Sequence, residues 1–210
     1  LNAQVLYVNS SATGNNDGYS WANAFTTLDA ALSSSENAAV YVAKGTYHPG
    51  DGTKRTDYFE LTKSIYGGFA GTEATLEERD IKANPTILSG DYLGNDDNDI
   101  TTSNSLRSEN AQTVCRYRGN ILSGFIIEGG NANGSTPGRQ RYGGGLYVLK
   151  NTSVSSSGDV KISNCIFRKN TAVFIAAVYV YNLSAVSATP LKVILNKCVF
   201  RNNQATGSII

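Results

Sequence analysis

The sequence predicts an all-β chain, a right-handed parallel β-helix with an N-terminal capping α-helix, and three observations carry that expectation. The first is self-similarity. Asn164-Cys165-Ile166-Phe167-Arg168-Lys169-Asn170-Thr171-Ala172 recurs 33 residues later as Lys197-Cys198-Val199-Phe200-Arg201-Asn202-Asn203-Gln204-Ala205, and a weaker copy from Gly124 lies 40 residues upstream. The second is another repeated strand between these copies: Gly144-Gly145-Leu146-Tyr147-Val148 matches Ala176-Ala177-Val178-Tyr179-Val180 at an offset of 32. The third is a series of short apolar bursts separated by Gly, Asn, Asp and Pro, the pattern of strands and turns. Unequal periods with preserved strand cores fit a solenoid whose loops absorb the difference. Antiparallel hairpins would not place like on like. Parallel coils would stack Phe167 on Phe200, Cys165 on Cys198 and Asn170 on Asn203 at about 4.8 Å.

Taken in order, Tyr7-Val8 reads as a strand and 9–19 as a long turn rich in Ser, Gly, Asn and Asp. From Ser20, a plausible N-cap, Trp21, Ala24, Phe25, Leu28, Ala31 and Leu32 recur at helical spacing. A helix over 20–32 would lay a Trp/Phe/Leu face across the first coil and cover its interior and its unpaired strand edges. Strands are expected at 39–43, 58–61, 64–66, 86–88, 121–127, 146–149, 160–167, 175–181 and 191–200. Residues 1–37 thus form an N-terminal strand, loop and capping helix, and 38–210 the coils. The sequence stops before another Gly-Gly-type strand, so the expectation is a C-terminus cut mid-coil, with the β-helix continuing in a longer chain.

Lys and Arg number 18 against 17 Asp and Glu, a net charge of +1 without a basic cluster, which argues against a nucleic-acid partner. Gly, Ser and Asn occur 21 times each, while charged residues are only 17%, so the chain is turn-rich and weakly charged. The longest apolar run, 173–181, has nine residues, against the roughly 18 to 20 a membrane-spanning helix needs. Three Cys and no C-x-x-C exclude a complete internal disulfide framework. The absence of Met and the start at Leu1 imply either a processed mature chain or an excised piece of a longer one, and the first would allow prior export.

Phe167-Arg168-Lys169-Asn170, Phe200-Arg201-Asn202-Asn203 and Gly144-Gly145-Leu146-Tyr147 resemble the F-x-x-N and GGA(I/L/V) motifs of the chlamydial polymorphic outer-membrane proteins, which are adhesins. A longer ordered string is similar to secreted right-handed β-helix repeat proteins of Bacteroidetes type. It runs through Tyr7-Val8-Asn9, Gly14-Asn15-Asn16-Asp17-Gly18, Ser20-Trp21-Ala22-Asn23-Ala24-Phe25, Val42-Ala43-Lys44-Gly45-Thr46-Tyr47, Tyr66-Gly67-Gly68-Phe69, Glu78-Arg79-Asp80 and Thr86-Ile87-Leu88-Ser89-Gly90-Asp91. The resemblance spans nearly the whole chain and implies fold and a secreted or cell-surface location on a bacterium. Fold alone does not fix function, because β-helices host lyases, hydrolases and adhesins alike. One departure is Ala176-Ala177, preceded by Phe174 and Ile175, where the family favours Gly-Gly.

The strongest candidate ligand site is the loop 90–99, whose Asp91, Asp96, Asp97 and Asp99 supply the oxygens that a hard cation such as Ca²⁺ requires. It does not match an EF-hand loop, and a solvated loop between coils is the plain alternative. Asn15-Asn16-Asp17-Gly18 is a weaker loop of the same kind. Tyr is abundant, with 12 residues, and Tyr142, Tyr147, Tyr179 and Tyr181 lie near the Gly-Gly strands, where aromatic rows can stack sugars or a partner surface. Tyr147 and Tyr179 share a face, and packing and ligand contact both stay open. His48, the only histidine, is a conceivable base but reads as ordinary surface. Arg116 and Arg118 alternate on one exterior strand face; with Arg139 and Arg141 they are nominal lyase groups. Cys165 and Cys198 occupy the interior slot of Phe125, and Asn170 and Asn203 read as a stacked turn ladder.

No Gly-His-Gly, Asn-Thr-Asp or Arg-x-Pro-x-x-Arg string is present, so the expected activity is adhesion or glycan binding without catalysis, the partner being an extracellular polysaccharide or a host or neighbouring cell surface. The alternative is a polysaccharide lyase or glycoside hydrolase with a groove on loops 91–113 and 131–142. A structural spacer or assembly unit is the second alternative. An enzyme should gather carboxylates with Arg and Lys along one groove, and a binder should show aromatic rows. Sequons at Asn133 and Asn151 are possible glycan acceptors.

Overall fold

A computed structural model describes residues 4–119, 121–135, 140–150, 159–182 and 192–207. The chain begins with β1 (Val5–Val8), α1 (Leu28–Ser33), β2 (Ala39–Ala43), β3 (Gly45–Tyr47), β4 (Phe59–Leu61), β5 (Ile65–Phe69) and β6 (Thr86–Ser89). After one 3-10 turn (Ser105–Arg107) come β7 (Cys115–Tyr117), β8 (Ile121–Ser123), β9 (Phe125–Glu128), β10 (Asn131–Ala132) and β11 (Leu146–Lys150). The last elements are β12 (Val160–Ser163), β13 (Ile166–Arg168), β14 (Thr171–Ala172), β15 (Val178–Asn182), β16 (Val193–Asn196), β17 (Val199–Arg201) and β18 (Gln204–Ala205).

The strands form four sheets. Their orders are β1-β2-β5-β8-β12-β16, β3-β6-β9-β13-β17, β4-β7-β11-β15 and β10-β14-β18. Every described strand pair is parallel. In each sheet the strands follow chain order. The pairing repeats the sequence offsets. Phe167 pairs with Phe200, Ile166 with Ile126, and Tyr147 with Tyr179.

Inward positions form columns: Leu6, Val40, Ile65, Leu122 and Ile162 on the six-stranded sheet, Tyr47, Leu88, Ile127 and Phe167 on the five-stranded one. All belong to one buried cluster with Phe59, Cys115, Tyr117 and Leu146 from the four-stranded sheet. The column ends on Phe200, stacked on Phe167 at 5.1 Å with 6° between rings, yet 45% exposed.

The expected runs 121–127, 160–167 and 191–200 each split into two strands, because a residue in the left-handed region turns the chain from the six-stranded to the five-stranded sheet. These are Gly124 (φ 86°), Asn164 (52°) and Lys197 (53°). A second corner recurs at Gly129 (76°), Lys169 (52°) and Asn202 (50°). Glycine adopts this conformation without a Cβ penalty, whereas Lys169 and Lys197 hold it under tertiary constraint.

Inside the second corner, Asn170 is fully buried; its side chain accepts from Gly130 N (3.1 Å) and donates to Ile127 O (2.9 Å). Asn203 repeats the arrangement one pass later, donating to Phe167 O at 2.8 Å, and its Oδ1 accepts from the Asn170 amide at 3.1 Å. The two asparagines thus satisfy each other and the backbone.

The helix differs from its expected extent. α1 covers only Leu28–Ser33, and its N-cap is Thr27, whose Oγ1 accepts from Ala30 N at 3.3 Å, instead of Ser20. The reason is backbone competition: Phe25 N donates to Tyr7 O and Asn9 N to Phe25 O, both at 2.9 Å, which draws Phe25 against the β1 edge as a parallel bridge to Val8. Leu28, Ala31 and Leu32 still point into the core beside β1, β2 and β4. Trp21 instead lies outside, its ring 4.7 Å from Tyr7 and its Nε1 donating to Glu73 O at 2.8 Å.

Asn170→Ala strands a buried N–H and a buried carbonyl, so urea unfolding should show a loss of about 2 to 3 kcal/mol. Asn203→Ala, at the more open corner, should cost less.

Candidate functional site

The four-stranded sheet turns Phe59, Leu61, Cys115, Tyr117, Leu146 and Val148 inward. Strand alternation therefore sends Glu60, Arg116, Tyr147 and Tyr179 outward, and pairing sets these four in one row across β4, β7, β11 and β15. At about 4.8 Å per strand the row runs roughly 14 Å. Its first half is charged. Arg116 Nε lies 2.6 Å from Glu60 Oε2 and Arg118 Nε 3.0 Å from Oε1, with the Arg116 guanidinium 5.0 Å from the Tyr58 ring centre.

The second half is aromatic and unites all four tyrosines singled out from sequence. Tyr179 contacts Tyr142 at 4.7 Å, Tyr147 at 5.2 Å and Tyr181 at 6.2 Å between ring centres. Tyr142 also stacks on Phe174 at 5.0 Å, with Arg141 4.7 Å over Phe174. The loop brings Tyr142 there through Gly143 N bonding Ile175 O and Phe174 N bonding Arg141 O. Phe174, which precedes the Ala176-Ala177 departure from the Gly-Gly pattern, thus has its place on Tyr142. In the preceding pass glycine is required, since a Cβ on Gly144 would lie 2.2 Å from Thr171 O.

Self-stacking decides what this cluster can offer. Tyr142 has a ring on either side and Tyr147 is only 8% exposed, whereas Tyr181 is 41% exposed. Solvent therefore meets the Tyr181 ring, the outer edges of Tyr142 and Tyr179, and Arg141. Burial, then Tyr142 and Tyr181, push the Tyr179 hydroxyl up, so it is a neutral hydrogen-bonding group at physiological pH.

The acidic loop is arranged differently from a cation cage. Asp91 accepts from the backbone N–H of Asn95 and Asp96, each at 3.2 Å; Asp97 accepts from Asp99 N (2.8 Å) and Asn104 Nδ2 (2.9 Å); Asp99 accepts from Thr101 N (3.0 Å). Asp96 pairs with Arg107 and takes two bonds from Asn110 Nδ2, at 3.1 and 3.2 Å. Among the described residues no three His, Cys, Asp or Glu side chains gather in a metal-holding group. A Ca²⁺ ion at these four aspartates would have to draw them off these donors. The weaker loop is likewise engaged: Asn16 Oδ1 accepts from Thr26 N at 2.8 Å and Asp17 Oδ1 from Tyr19 N at 3.0 Å.

Arg107, which the sequence did not flag, is 0% exposed and fastens this loop to the sheets: besides Asp96 it donates to Lys169 O (2.8 Å) and Gly130 O (3.2 Å), at the second corner. Burial pushes the Asp96 carboxyl up, to about 6, against the pull of Arg107. At neutral pH it remains the counter-charge that a buried guanidinium needs. Beside this anchor lies a groove of about 310 Å³ lined by Asp91, Asp96, Glu128, Arg168, Lys169 and Arg201. Glu128 is held by Arg168. Arg168 and Arg201 are register neighbours, a consequence of the repeated Phe-Arg pair that was visible in the sequence.

Cys115 and Cys165 are fully buried, and burial pushes the Cys165 thiol up to about 12, which removes it as a nucleophile at neutral pH. His48 Nδ1 lies 3.1 Å from Ser89 O beside a cavity of about 450 Å³ that also touches Tyr92 and Asp51. Behind it, Asp29 accepts from Gly50 N at 3.1 Å, and burial, with Asp57 nearby, pushes its carboxyl up to about 6 despite that bond. The Asn133 amide is taken by Arg55 (2.7 Å) and Thr102 O (2.9 Å). Arg139 and Asn151 lie outside the described residues.

No family model matches this sequence, and no curated protein or solved structure is significantly similar to it. Among the described residues no helix is long and apolar enough to cross a membrane.

Arg107→Met leaves the Asp96 charge buried without its cation, and should cost about 3 to 5 kcal/mol in urea unfolding, with Asp96→Asn on top of it restoring part of the loss. Asp29 titrates near 6 when folded against the ordinary 3.8. The folded chain therefore binds more protons there between these values, and its stability contribution rises as pH falls through about 6, levelling below about 4. Asp29→Asn, which keeps an acceptor for Gly50 N, should raise Tm above about pH 7 and lose that advantage below about pH 4, as followed by circular dichroism.

Proposed function

We propose that this chain is a right-handed parallel β-helix of the secreted Bacteroidetes type, displayed at or beyond a bacterial cell surface, which binds an extracellular glycan on the outer face of its four-stranded sheet without turning it over. The observation that carries this reading is the row Glu60-Arg116-Tyr147-Tyr179 and its flanking ring cluster, a strip that joins paired charges to tyrosine edges on a rigid sheet. Such a surface suits an extended sugar chain: arginine and glutamate exchange hydrogen bonds with hydroxyls, and the exposed Tyr181 ring takes the apolar face of a pyranose. All four strand orders follow the chain, as winding in one solenoid would require.

The carboxylates beside the groove are already occupied. Asp96 is committed to Arg107 and Asn110, Glu128 to Arg168, and Asp91 to two backbone donors, so none is placed to give or take a proton without first losing a partner.

The test is binding of the purified chain to a panel of soluble polysaccharides by calorimetry. Tyr181→Ala and Arg141→Ala should each weaken binding about tenfold, with Tm nearly unchanged for Tyr181→Ala. Retention that ignores both substitutions would place the ligand elsewhere.

A second reading, a lyase or hydrolase, is favoured by one observation: the 310 Å³ groove sets three carboxylates against Arg168, Lys169 and Arg201. Incubation with uronate-rich polysaccharides separates the two. New reducing ends that disappear in Arg201→Ala and Lys169→Ala would establish catalysis there and displace the binding-only account.

A further inference from the structure

A second aromatic group lies on the outer face of the first strands of the six-stranded sheet, where neither the repeat nor the Gly-Gly motif points. Tyr7, Tyr41 and Tyr66 are register neighbours across β1, β2 and β5, and face outward because Leu6, Val8, Val40, Val42 and Ile65 are buried. Their rings meet edge to face, at 6.0 Å and 86° for Tyr7 with Tyr41 and 5.8 Å and 82° for Tyr41 with Tyr66. Phe69 stacks on Tyr41 at 4.6 Å, and Trp21 backs Tyr7. This ladder already holds one cation: the Arg79 guanidinium sits 5.5 Å from the Tyr66 ring centre, fixed by Gly67 O at 3.0 Å.

On the side of Tyr7 and Tyr41 a cavity of about 610 Å³ opens, lined by these two rings together with Tyr19, Leu76 and Glu77 and, among the described residues, by no Lys or Arg. Tyr19 is 57% exposed. The Glu77 carboxylate has no hydrogen bond or ion pair among the described residues, and its charge is felt at the Tyr41 hydroxyl. The volume falls in the range of about 300 to 1,000 Å³ usual for small-ligand sites.

We propose that this cavity binds a small N-methylated ammonium cation of the choline type, its charged head against the tyrosine rings and its counter-charge supplied by Glu77. The ring quadrupole attracts cations, and aromatic walls suit a methylated ammonium best because it is weakly hydrated and asks for no hydrogen-bond acceptors. A primary ammonium is more strongly hydrated, so it loses more water for the same contact with the rings. An anion would meet Glu77 in the cavity wall, while Arg79, whose charge reaches Glu77, is already held on Tyr66 and by Gly67 O and Ser123. The same repulsion disfavours a phosphocholine headgroup, which separates the free cation from a lipid surface as the source.

Trp21, the only tryptophan in the chain, contacts Tyr7 at 4.7 Å and reports on the site by fluorescence. Titration with choline should give a saturable change, while the neutral isostere 3,3-dimethylbutan-1-ol should bind at least about tenfold more weakly. Glu77→Gln and Tyr19→Ala, both at exposed positions, should each weaken choline about tenfold with Tm unchanged. Tyr41→Phe keeps the ring and should retain binding, which a sugar held by the hydroxyl would not. Equal affinity for choline and its isostere, or no saturable signal with choline, overturns the proposal. Glu77-dependent flotation with phosphatidylcholine vesicles, in place of binding to free choline, overturns the free cation as ligand and assigns the headgroup of a membrane.

Discussion

Parallel pairing of similar segments in register is the constraint on which the rest of this structure depends. Once Phe167 is placed over Phe200 and Ile162 beside Leu122, the alternation of each strand fixes which residues are interior, and a slip of one residue would turn each column to solvent. Like then lies on like. That arrangement lets short strands share one continuous core, since each buries its inward face against its register neighbours in the sheet.

Stacking also dictates where polar groups can be buried. Two corners per pass leave backbone amides and carbonyls inside the chain's own turns, and such groups must be paired. Asn170 and Asn203 do this in register. Arg107 does it once and out of register, tying the insertion at 91–113 to Gly130 and Lys169 with Asp96 as its counter-charge. The acidic loop is therefore part of the framework: its carboxylates hold their own backbone and one buried cation.

The outward columns are free of that discipline, and there the chain differs from pass to pass. On the four-stranded sheet the row changes from Glu60 and Arg116 to Tyr147 and Tyr179; on the six-stranded sheet it changes from Tyr7, Tyr41 and Tyr66 to Ser123 and Ser163. Chemically distinct strips can thus lie side by side on one rigid scaffold. The proposed glycan strip and the proposed alkylammonium cavity draw on different strips and on different sheets.

The sequence by itself determined the parallel, repeat-driven pairing, the interior slots of Cys165 and Phe167, the pairing of Tyr147 with Tyr179, and the outward Arg116 and Arg118, because a fixed offset between similar segments is a local signal of register. It misjudged the helix at 20–32, since helical spacing competed with a backbone bridge from Phe25 to β1 that no local pattern encodes. The partners of the acidic loop were hidden for the same reason: Arg107 lies 11 residues from Asp96 and bonds Lys169, 62 residues away. Likewise the union of Tyr142 with Phe174 and of Tyr7 with Trp21 arises from loops that return to a sheet face. Register is written along the chain, but the closing of loops onto faces depends on which buried donors and rings find partners, and only the tertiary structure decides that.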